Sequence, residues 1–411
     1  MQAAVSDFYE RRSLSALEKT LKTRFIVDVD EFCRRLELPD DFAKDAREAA
    51  RAFPFLFPES ALSRIRKGDP NDPLLRQFLP RSNELDVVPG FETDPLCEQG
   101  ELAYPDAPCL LQKYAGRVLA LTTNACAARC RFCFRRHFPK NRALFPLPTT
   151  DCAGRDGFND SPDGGSDGSG RSSGSLDASP TPESNAVDGT DVAKAYFDRI
   201  FAGVRADASI SELIFSGGDP LTLDDAELRT LLHYIRTIES VKRVRFHSRV
   251  PVLCPGRIGD DFPNADEFAR TPGSGPSDST RLPLVLHLTL HVDSANEIDS
   301  NVERALLSLR QRGYVLTSQT VLLQGVNDSV DALAALFEKL IDVGVLPYYL
   351  HQLDRTQGAA AFEVSPERGL EIVRQLGERL PGYAVPRYVR ELPNRPMKAK
   401  ILQEKLDGFN D

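Results

Sequence analysis

Six apolar, β-rich runs alternate with amphipathic stretches, and this alternation restricts the fold more than any other feature of the chain. The amphipathic stretches lie near residues 191–205, 224–240, 299–312, 329–343 and 366–380. Strands that alternate with helices predict a parallel sheet with right-handed crossovers. No G-x-G-x-x-G follows the first run, so an α/β protein with a partial (β/α)6 barrel of the TIM type fits better than a Rossmann fold. The runs, which we interpret as strands, are Val118–Thr122, Glu212–Ser216, Arg243–His247, Leu284–His291, Val315–Leu323 and Leu346–Leu350.

The remaining segments complete the predicted organisation. Residues 1–100 predict a mostly helical N-terminal cap with Pro-rich joints, and residues 101–402 should form the barrel. Residues 153–190 are rich in Ser, Gly and Asp and have few large apolar residues, so we expect a disordered insertion there. Residues 259–282 are similar but less extreme, and they predict a flexible insertion.

Charge and hydropathy exclude some classes of function. The formal net charge of −9 argues against a nucleic-acid-binding surface. Residues 151–190 carry eight acidic and two basic side chains, so most of this charge is local. No stretch approaches the roughly 18 apolar residues that span a membrane, and the first residues lack the apolar segment of a signal peptide. We therefore expect a cytoplasmic protein that binds neither nucleic acid nor a membrane.

Three cysteines, Cys126, Cys130 and Cys133, form a C-x3-C-x2-C motif directly after the first predicted strand. Three thiolates on one loop can each ligate one iron of a cubane iron–sulfur cluster, which leaves the fourth iron open to a small chelating molecule. A zinc site with His137 as the fourth ligand is the alternative, and it would suit a non-enzymatic binding module. The other cysteines are scattered, and we interpret them as ordinary thiols.

The cysteine motif, with aromatic side chains beside its third cysteine, resembles the radical S-adenosylmethionine (radical SAM) superfamily. That superfamily carries a Gly-Gly-Glu-like motif after the second strand, where this chain has Ser216, Gly217, Gly218 and Asp219. The resemblance implies a [4Fe-4S] cluster, a barrel of the radical SAM type, and S-adenosyl-L-methionine bound by these four residues. It also implies an external electron donor for the cluster.

A longer set of blocks resembles the lysine 2,3-aminomutase family within that superfamily. The segment Cys130–Pro139 is similar to the branch that makes β-lysine for modification of translation elongation factor P. The similarity covers about residues 85–402, apart from the two insertions. It implies an isomerase that converts L-lysine to β-lysine by moving the amino group from C2 to C3. Another amino acid, such as glutamate, remains an alternative substrate within the same family.

Enzymes of this family use pyridoxal 5′-phosphate, which they hold on a lysine near the C-terminus. Lys398 occupies the matching position of this chain. Pro393 and Asn394 stand where relatives have glycines, so the approach to this lysine is stiffer. Lys400 therefore remains a second candidate for the pyridoxal phosphate.

The resemblance also implies roles for single residues. Lys113 and Arg117 match two basic residues that grip the phosphate of pyridoxal 5′-phosphate. Arg135 matches the clamp for the substrate's carboxylate, and Asp354 matches an aspartate that pairs with the ε-ammonium of lysine. The positions that match the surroundings of S-adenosyl-L-methionine are Ser248 and His291.

Overall fold

The computed structural model describes residues 14–98, 109–138, 198, 201–268, 284–393 and 395–402. A nine-stranded sheet forms its centre, and the strands follow one another across this sheet in chain order. Neighbouring strands are parallel except at the two edges, where the outermost pairs are antiparallel. The strands are Phe25–Ile26 (β1) and Phe57–Pro58 (β2), which pair with each other outside this sheet, then Leu110–Leu111 (β3), Arg117–Thr123 (β4), Glu212–Gly217 (β5), Arg243–Ser248 (β6), Val285–His291 (β7), Val315–Val321 (β8), Leu346–His351 (β9), Arg387–Arg390 (β10) and Ala399–Lys400 (β11).

Strands β4 to β9 are the six strands expected from the apolar runs, and their ends differ from the predicted ones by no more than two residues. The prediction of an α/β protein with a parallel sheet is therefore confirmed. Strand β5 shows why the strands could be predicted from apolar runs, because its first five residues are all buried. Parallel strands are covered on both faces, so they form continuous apolar runs and not alternating ones.

Helices precede the main sheet and connect its parallel strands, and several of them begin at side-chain caps. They are Leu14–Leu21 (α1), Val29–Arg35 (α2), Asp40–Ala52 (α3), Glu59–Leu62 (α4), Pro73–Phe78 (α5), Asp225–Arg236 (α6), Val250–Leu253 (α7), Ser300–Gln311 (α8), Val330–Asp342 (α9) and Pro366–Arg379 (α10), and residues 201–206 are also helical. Asp224 accepts a hydrogen bond from the backbone N–H of Glu227, and the Glu227 side chain accepts one from Asp224 N–H. This capping box satisfies two N–H groups at the start of α6. The side chains of Asp299 and Ser329 likewise accept hydrogen bonds from backbone N–H groups at the starts of α8 and α9.

The N-terminal residues pack against the loops that follow the parallel strands. Nη1 of Arg64 donates to the carbonyl oxygen of Val252, at 2.6 Å. On the cysteine loop, the buried side chain of Arg131 forms a bidentate ion pair with Glu84, with a shortest distance of 2.6 Å. The first contact joins the N-terminal region to the segment after β6, and the second joins it to the cysteine loop.

The two predicted insertions have different outcomes. Residues 153–190 lie outside the described part of the chain. Of the segment 259–282, residues 259–268 are described, and they are packed structure, which corrects the expectation of a flexible insertion over this part. The reason is that Phe262 and Phe268 are buried in the main hydrophobic core. Among the described residues, no helix is long and apolar enough to cross a membrane.

Candidate active site

One cavity of about 580 Å³ is lined by every residue that the sequence analysis assigned to the iron–sulfur cluster, the other cofactors or the substrate. Each strand from β4 to β11 contributes to its wall. Because β4 to β10 run in one direction, the loops that follow them meet at one edge of the sheet, where binding sites of such folds lie. The assigned residues in the lining are Lys113, Arg117, Cys126, Cys130, Cys133, Arg135, Ser216, Gly217, Gly218, Asp219, Ser248, His291, Asp354 and Lys398, together with the second candidate Lys400.

The three cysteines lie on the loop after β4 and line the cavity. Burial raises the pKa of Cys126 to about 12 and that of Cys130 to about 11, although Arg249 opposes the shift at Cys130. Thiolates, not thiols, ligate metals. Bound iron would supply the positive charge that thiolates need in so buried a place, so the donor set fits an iron–sulfur cluster.

A single zinc ion would need its ligands to converge on one point. Within the ranges that the structure describes, no three His, Cys, Asp or Glu side chains converge closely enough to hold one ion. His137, the fourth ligand of the zinc alternative, has its Nε2 atom 3.0 Å from the carbonyl oxygen of Gln357. A cubane takes one thiolate per iron, so its cysteines do not have to converge on one point.

The Gly-Gly loop after β5 packs directly against the start of the cysteine loop. The N–H of Gly218 donates to the carbonyl oxygen of Thr123 at 2.6 Å, and the N–H of Asp219 donates to that of Ala125 at 2.7 Å. A Cβ atom on Gly218 would lie 2.1 Å from the Ala125 oxygen, and Gly217 has a φ of +114°. Both positions therefore require glycine, because any side chain would push the two loops apart.

Asp219 and Ser248 hold loops together. The Asp219 carboxylate accepts hydrogen bonds from the Ser248 hydroxyl and from the N–H groups of Leu221, Arg249 and Val250, at 2.7–3.1 Å. Burial raises the pKa of Asp219, and these four donors oppose the shift. Both carboxylate oxygens are thus engaged within the protein, although the sequence resemblance had assigned this carboxylate to a ligand. The side chains of Asp219 and Ser248 join the loops after β5 and β6.

Arg135 carries a side chain that is 10% exposed and is held from two sides. Its Nε and Nη2 atoms donate to the Glu98 carboxylate at 2.7 and 2.6 Å. Its Nη1 atom donates to the hydroxyl of Ser216 at 2.9 Å and lies 3.3 Å from the carbonyl oxygen of Gly217. Glu98 occupies the Nε–Nη2 side of the guanidinium, and Ser216 and Gly217 accept from Nη1. A ligand carboxylate would therefore share the Nη1–Nη2 end with these partners. Sequence reasoning missed Glu98, which no local motif marks.

At the other edge of the sheet, Lys398 lies opposite Glu391 in the β10–β11 hairpin, where Arg390 pairs with Ala399. The ammonium of Lys398 donates to Glu391, and Lys113 forms an ion pair with the same carboxylate at 2.8 Å. Burial acts to raise the pKa of Glu391, but the two lysines outweigh it and the pKa is lowered. Lys398 is 27% exposed at its side chain, whereas Lys400 is exposed.

Lys113, which we expected to bind the phosphate of pyridoxal 5′-phosphate, contacts protein groups in this structure. Its Nζ atom also donates to the carbonyl oxygen of Leu392 at 2.8 Å, so Lys113 joins the two edges of the sheet through the Glu391 segment. Arg117 lies over the ring of Tyr114, 4.8 Å from its centroid, and no acidic side chain of the described ranges forms an ion pair with it. Arg117 is therefore the better placed of the two for an anionic phosphate.

Asp354 is the second acidic group at this end of the cavity. Burial raises the pKa of Asp354 to about 7, the Lys398 ammonium opposes the shift, and Glu391 reinforces it. A carboxyl group with such a pKa changes its charge near neutral pH. A ligand cation that entered beside it would favour the carboxylate form.

Three histidines complete the wall on β6, β7 and β9. Burial lowers the pKa of His247 and of His351 well below the usual range, so both rings are neutral. Their Nε2 atoms are buried and have no hydrogen-bond partner among the described residues. His291 has its Nε2 atom 3.0 Å from Oδ2 of Asp293, and its ring meets Phe132 edge to face. The rings of His247 and His351 offer a bound molecule uncharged hydrogen-bonding groups.

No family model matches the chain. Curated proteins similar to it include L-lysine 2,3-aminomutase of Escherichia coli strain K12, which is 35% identical over 379 residues that cover 92% of each chain. L-lysine 2,3-aminomutase of Haemophilus influenzae is 33% identical over 92% of this chain and 94% of the relative. L-lysine 2,3-aminomutase of Clostridium subterminale is 27% identical over 92% of this chain and 76% of the relative.

Proposed function

The chain belongs to the lysine 2,3-aminomutase family, and from this premise we propose that it converts L-lysine to β-lysine with a [4Fe-4S] cluster, S-adenosyl-L-methionine and pyridoxal 5′-phosphate. Membership in the family makes it an isomerase of the aminomutase type. The observation that carries the finer proposal is the single cavity that joins the three cysteines, the Gly-Gly loop, Lys398 and Asp354. When bound, the three groups would supply a radical that removes hydrogen from the substrate and a carrier for the migrating amino group.

In this proposal, Cys126, Cys130 and Cys133 hold the cluster, and the backbone beside Gly217 and Gly218 faces S-adenosyl-L-methionine. The engaged carboxylate of Asp219 supports the backbone as the contact, since both of its oxygens already accept hydrogen bonds. An external one-electron donor is required.

Lys398 would hold the pyridoxal phosphate, with Arg117 at the phosphate. An amine attacks an aldehyde only in its neutral form, so Nζ of Lys398 must first lose a proton. Glu391 accepts a hydrogen bond from this ammonium, so the β10–β11 hairpin fixes the position of Nζ.

The substrate would lie between opposite charges. Arg135 presents the end of its guanidinium to the α-carboxylate, and Glu98 keeps that guanidinium oriented. Asp354, which ionises near neutral pH, lies at the Lys398 end, and its carboxylate form suits the ε-ammonium of L-lysine. Glu391 is already paired there with Lys398 and Lys113, so Asp354 is the acidic group that distinguishes the substrates. A glutamate substrate would place its side-chain carboxylate beside that of Asp354, and the repulsion between them disfavours it.

We also propose that the sheet is a partial barrel formed by residues 101–402, with residues 1–100 as its cap. The contact of Lys113 with Glu391 supports this, because it joins the β3–β4 edge to the β10–β11 edge.

Supply of β-lysine for modification of elongation factor P is a finer proposal that rests on the resemblance of Cys130–Pro139. Mass analysis of elongation factor P in cells with and without this chain tests it.

Borohydride trapping tests the pyridoxal phosphate site. Reduction of the enzyme loaded with pyridoxal phosphate should label the peptide that contains Lys398. Lys398→Ala should lose the label and the conversion of L-lysine but keep its iron, whereas Lys400→Ala should keep all three. A label on Lys400 would move the site two residues along the hairpin. If neither lysine carries the label, the aminomutase proposal fails for this chain.

A further inference from the structure

A buried arginine in the lining of the same cavity contacts the cysteine loop. Arg249 follows β6 and is 5% exposed, and its Nη1 atom donates to the sulfur of Cys130 at 3.0 Å. Its guanidinium lies over the rings of Phe78 and Phe132, 4.7 and 5.9 Å from their centroids. This contact cannot be predicted from a local sequence motif, because Arg249 and Cys130 are 119 positions apart in the chain.

The arginine is fixed by acidic and polar partners on its other side. Its Nη2 atom donates to Oε2 of Glu297 at 2.8 Å and to the side-chain oxygen of Gln77, and it lies 3.5 Å from Oδ2 of Asp293. Its backbone N–H donates to the Asp219 carboxylate at 2.7 Å. A long side chain anchored at both ends keeps its positive charge at a fixed distance from Cys130.

We propose that Arg249 is a positioning residue that raises the reduction potential of the cluster held by Cys126, Cys130 and Cys133. This inference rests on the proposed function, because it requires a cluster at those cysteines. One-electron reduction transfers an electron from an external donor to the cluster and adds one negative charge, while no bond in the protein forms or breaks. A positive charge and an N–H···S hydrogen bond both stabilise the more negative state.

Asp293 has the opposite effect by the same reasoning. Its carboxylate is fully buried near the guanidinium, and it accepts a hydrogen bond from the N–H of Val321 at 2.8 Å. Part of the positive charge that Arg249 brings to the cluster is therefore offset by Asp293. Removal of either charge should move the potential, and the two shifts should have opposite signs.

The test is a reductive titration of the reconstituted protein with dithionite, followed by electron paramagnetic resonance. Arg249→Gln should give a midpoint potential more negative than that of the unaltered protein, and Arg249→Lys should give an intermediate value. Asp293→Asn should give a more positive one. Glu371→Gln, on α10, changes a side chain that is 41% exposed; it is the control and should leave the potential unchanged.

The outcomes separate this inference from the proposed function. If the unaltered protein binds no cluster, the proposed function fails. If the Arg249 variants bind a cluster whose potential equals that of the unaltered protein, the tuning role is wrong and the cluster assignment stands. Should Arg249→Gln not load iron, Arg249→Lys and Asp293→Asn decide the matter, and unchanged potentials in both overturn the inference. A merely structural role would not produce shifts of opposite sign.

Discussion

Replacing Asp354 by asparagine should weaken the binding of L-lysine and remove the pH dependence of that binding. Burial raises the pKa of Asp354 to about 7, against the opposing charge of Lys398. A raised pKa means that the group is a carboxylate above pH 7 and a neutral acid below it. Since only the carboxylate pairs with the ε-ammonium, affinity should rise as the pH increases through this value.

The size of both effects follows from the charge state. One unit below the pKa only about a tenth of the carboxyl groups are ionised, so affinity should fall roughly tenfold between pH 8 and pH 6. Removing one partner of a buried charge pair costs about 2–5 kcal/mol. Glu391 remains at the same end of the cavity, which points to the lower limit, or about a thirtyfold loss at pH 8.

The assay is calorimetric binding of L-lysine to the loaded enzyme without a reductant, so that no turnover occurs. L-norleucine, which has the same carbon chain but no ε-amine, separates the two ends of the substrate. Its affinity should change little in Asp354→Asn. Asp331→Asn makes the same chemical change on an exposed part of α9 and serves as the control.

Two results would refute the reasoning. Equal losses for L-lysine and L-norleucine in Asp354→Asn would mean that the residue shapes the cavity and does not bind the amine. A full pH dependence in Asp354→Asn would mean that another group titrates.

Three further changes test other parts of the site. Cys130→Ala should lose the cluster and the activity and keep pyridoxal phosphate, because two thiolates do not hold a stable cubane; iron analysis and borohydride trapping measure this, and full iron content would contradict it. Arg135→Lys should raise KM for L-lysine by a factor of about 10 to 150, since an ammonium lacks the fork that a carboxylate binds and about 1.5–3 kcal/mol is lost; an unchanged KM would exclude Arg135 as the clamp. Gly218→Ala should reduce iron content and thermal stability because its Cβ would lie 2.1 Å from a backbone oxygen of the cysteine loop, whereas Gly377→Ala, in the open interior of α10, should be neutral or stabilising by up to about 1 kcal/mol.

The parts of the molecule that could be predicted from sequence depend on neighbours along the chain. Buried strands such as Glu212–Gly217 form continuous apolar runs because both faces of a parallel sheet are covered. The spacing of Cys126, Cys130 and Cys133 reflects one loop, so it too is visible without a structure. Residues 259–268 were misjudged because their composition is polar, while two phenylalanines at the right places are enough to anchor them in the core.

The charged partners of the site could not be predicted in this way, since an ion pair leaves no trace in local spacing. Glu98 and Arg135 are 37 residues apart, and Arg249 and Cys130 are 119 apart, yet both pairs are in direct contact. What decides their roles is which charges the sheet brings together. Asp219 shows that a motif can also mislead. Its position suggested a contact with a ligand, whereas in the fold its carboxylate joins two loops. Short-range patterns thus point to the groups that we propose to hold cofactors, whereas long-range contacts determine the charge around these groups. The proposed potential of the cluster and choice of substrate therefore depend on the folded sheet.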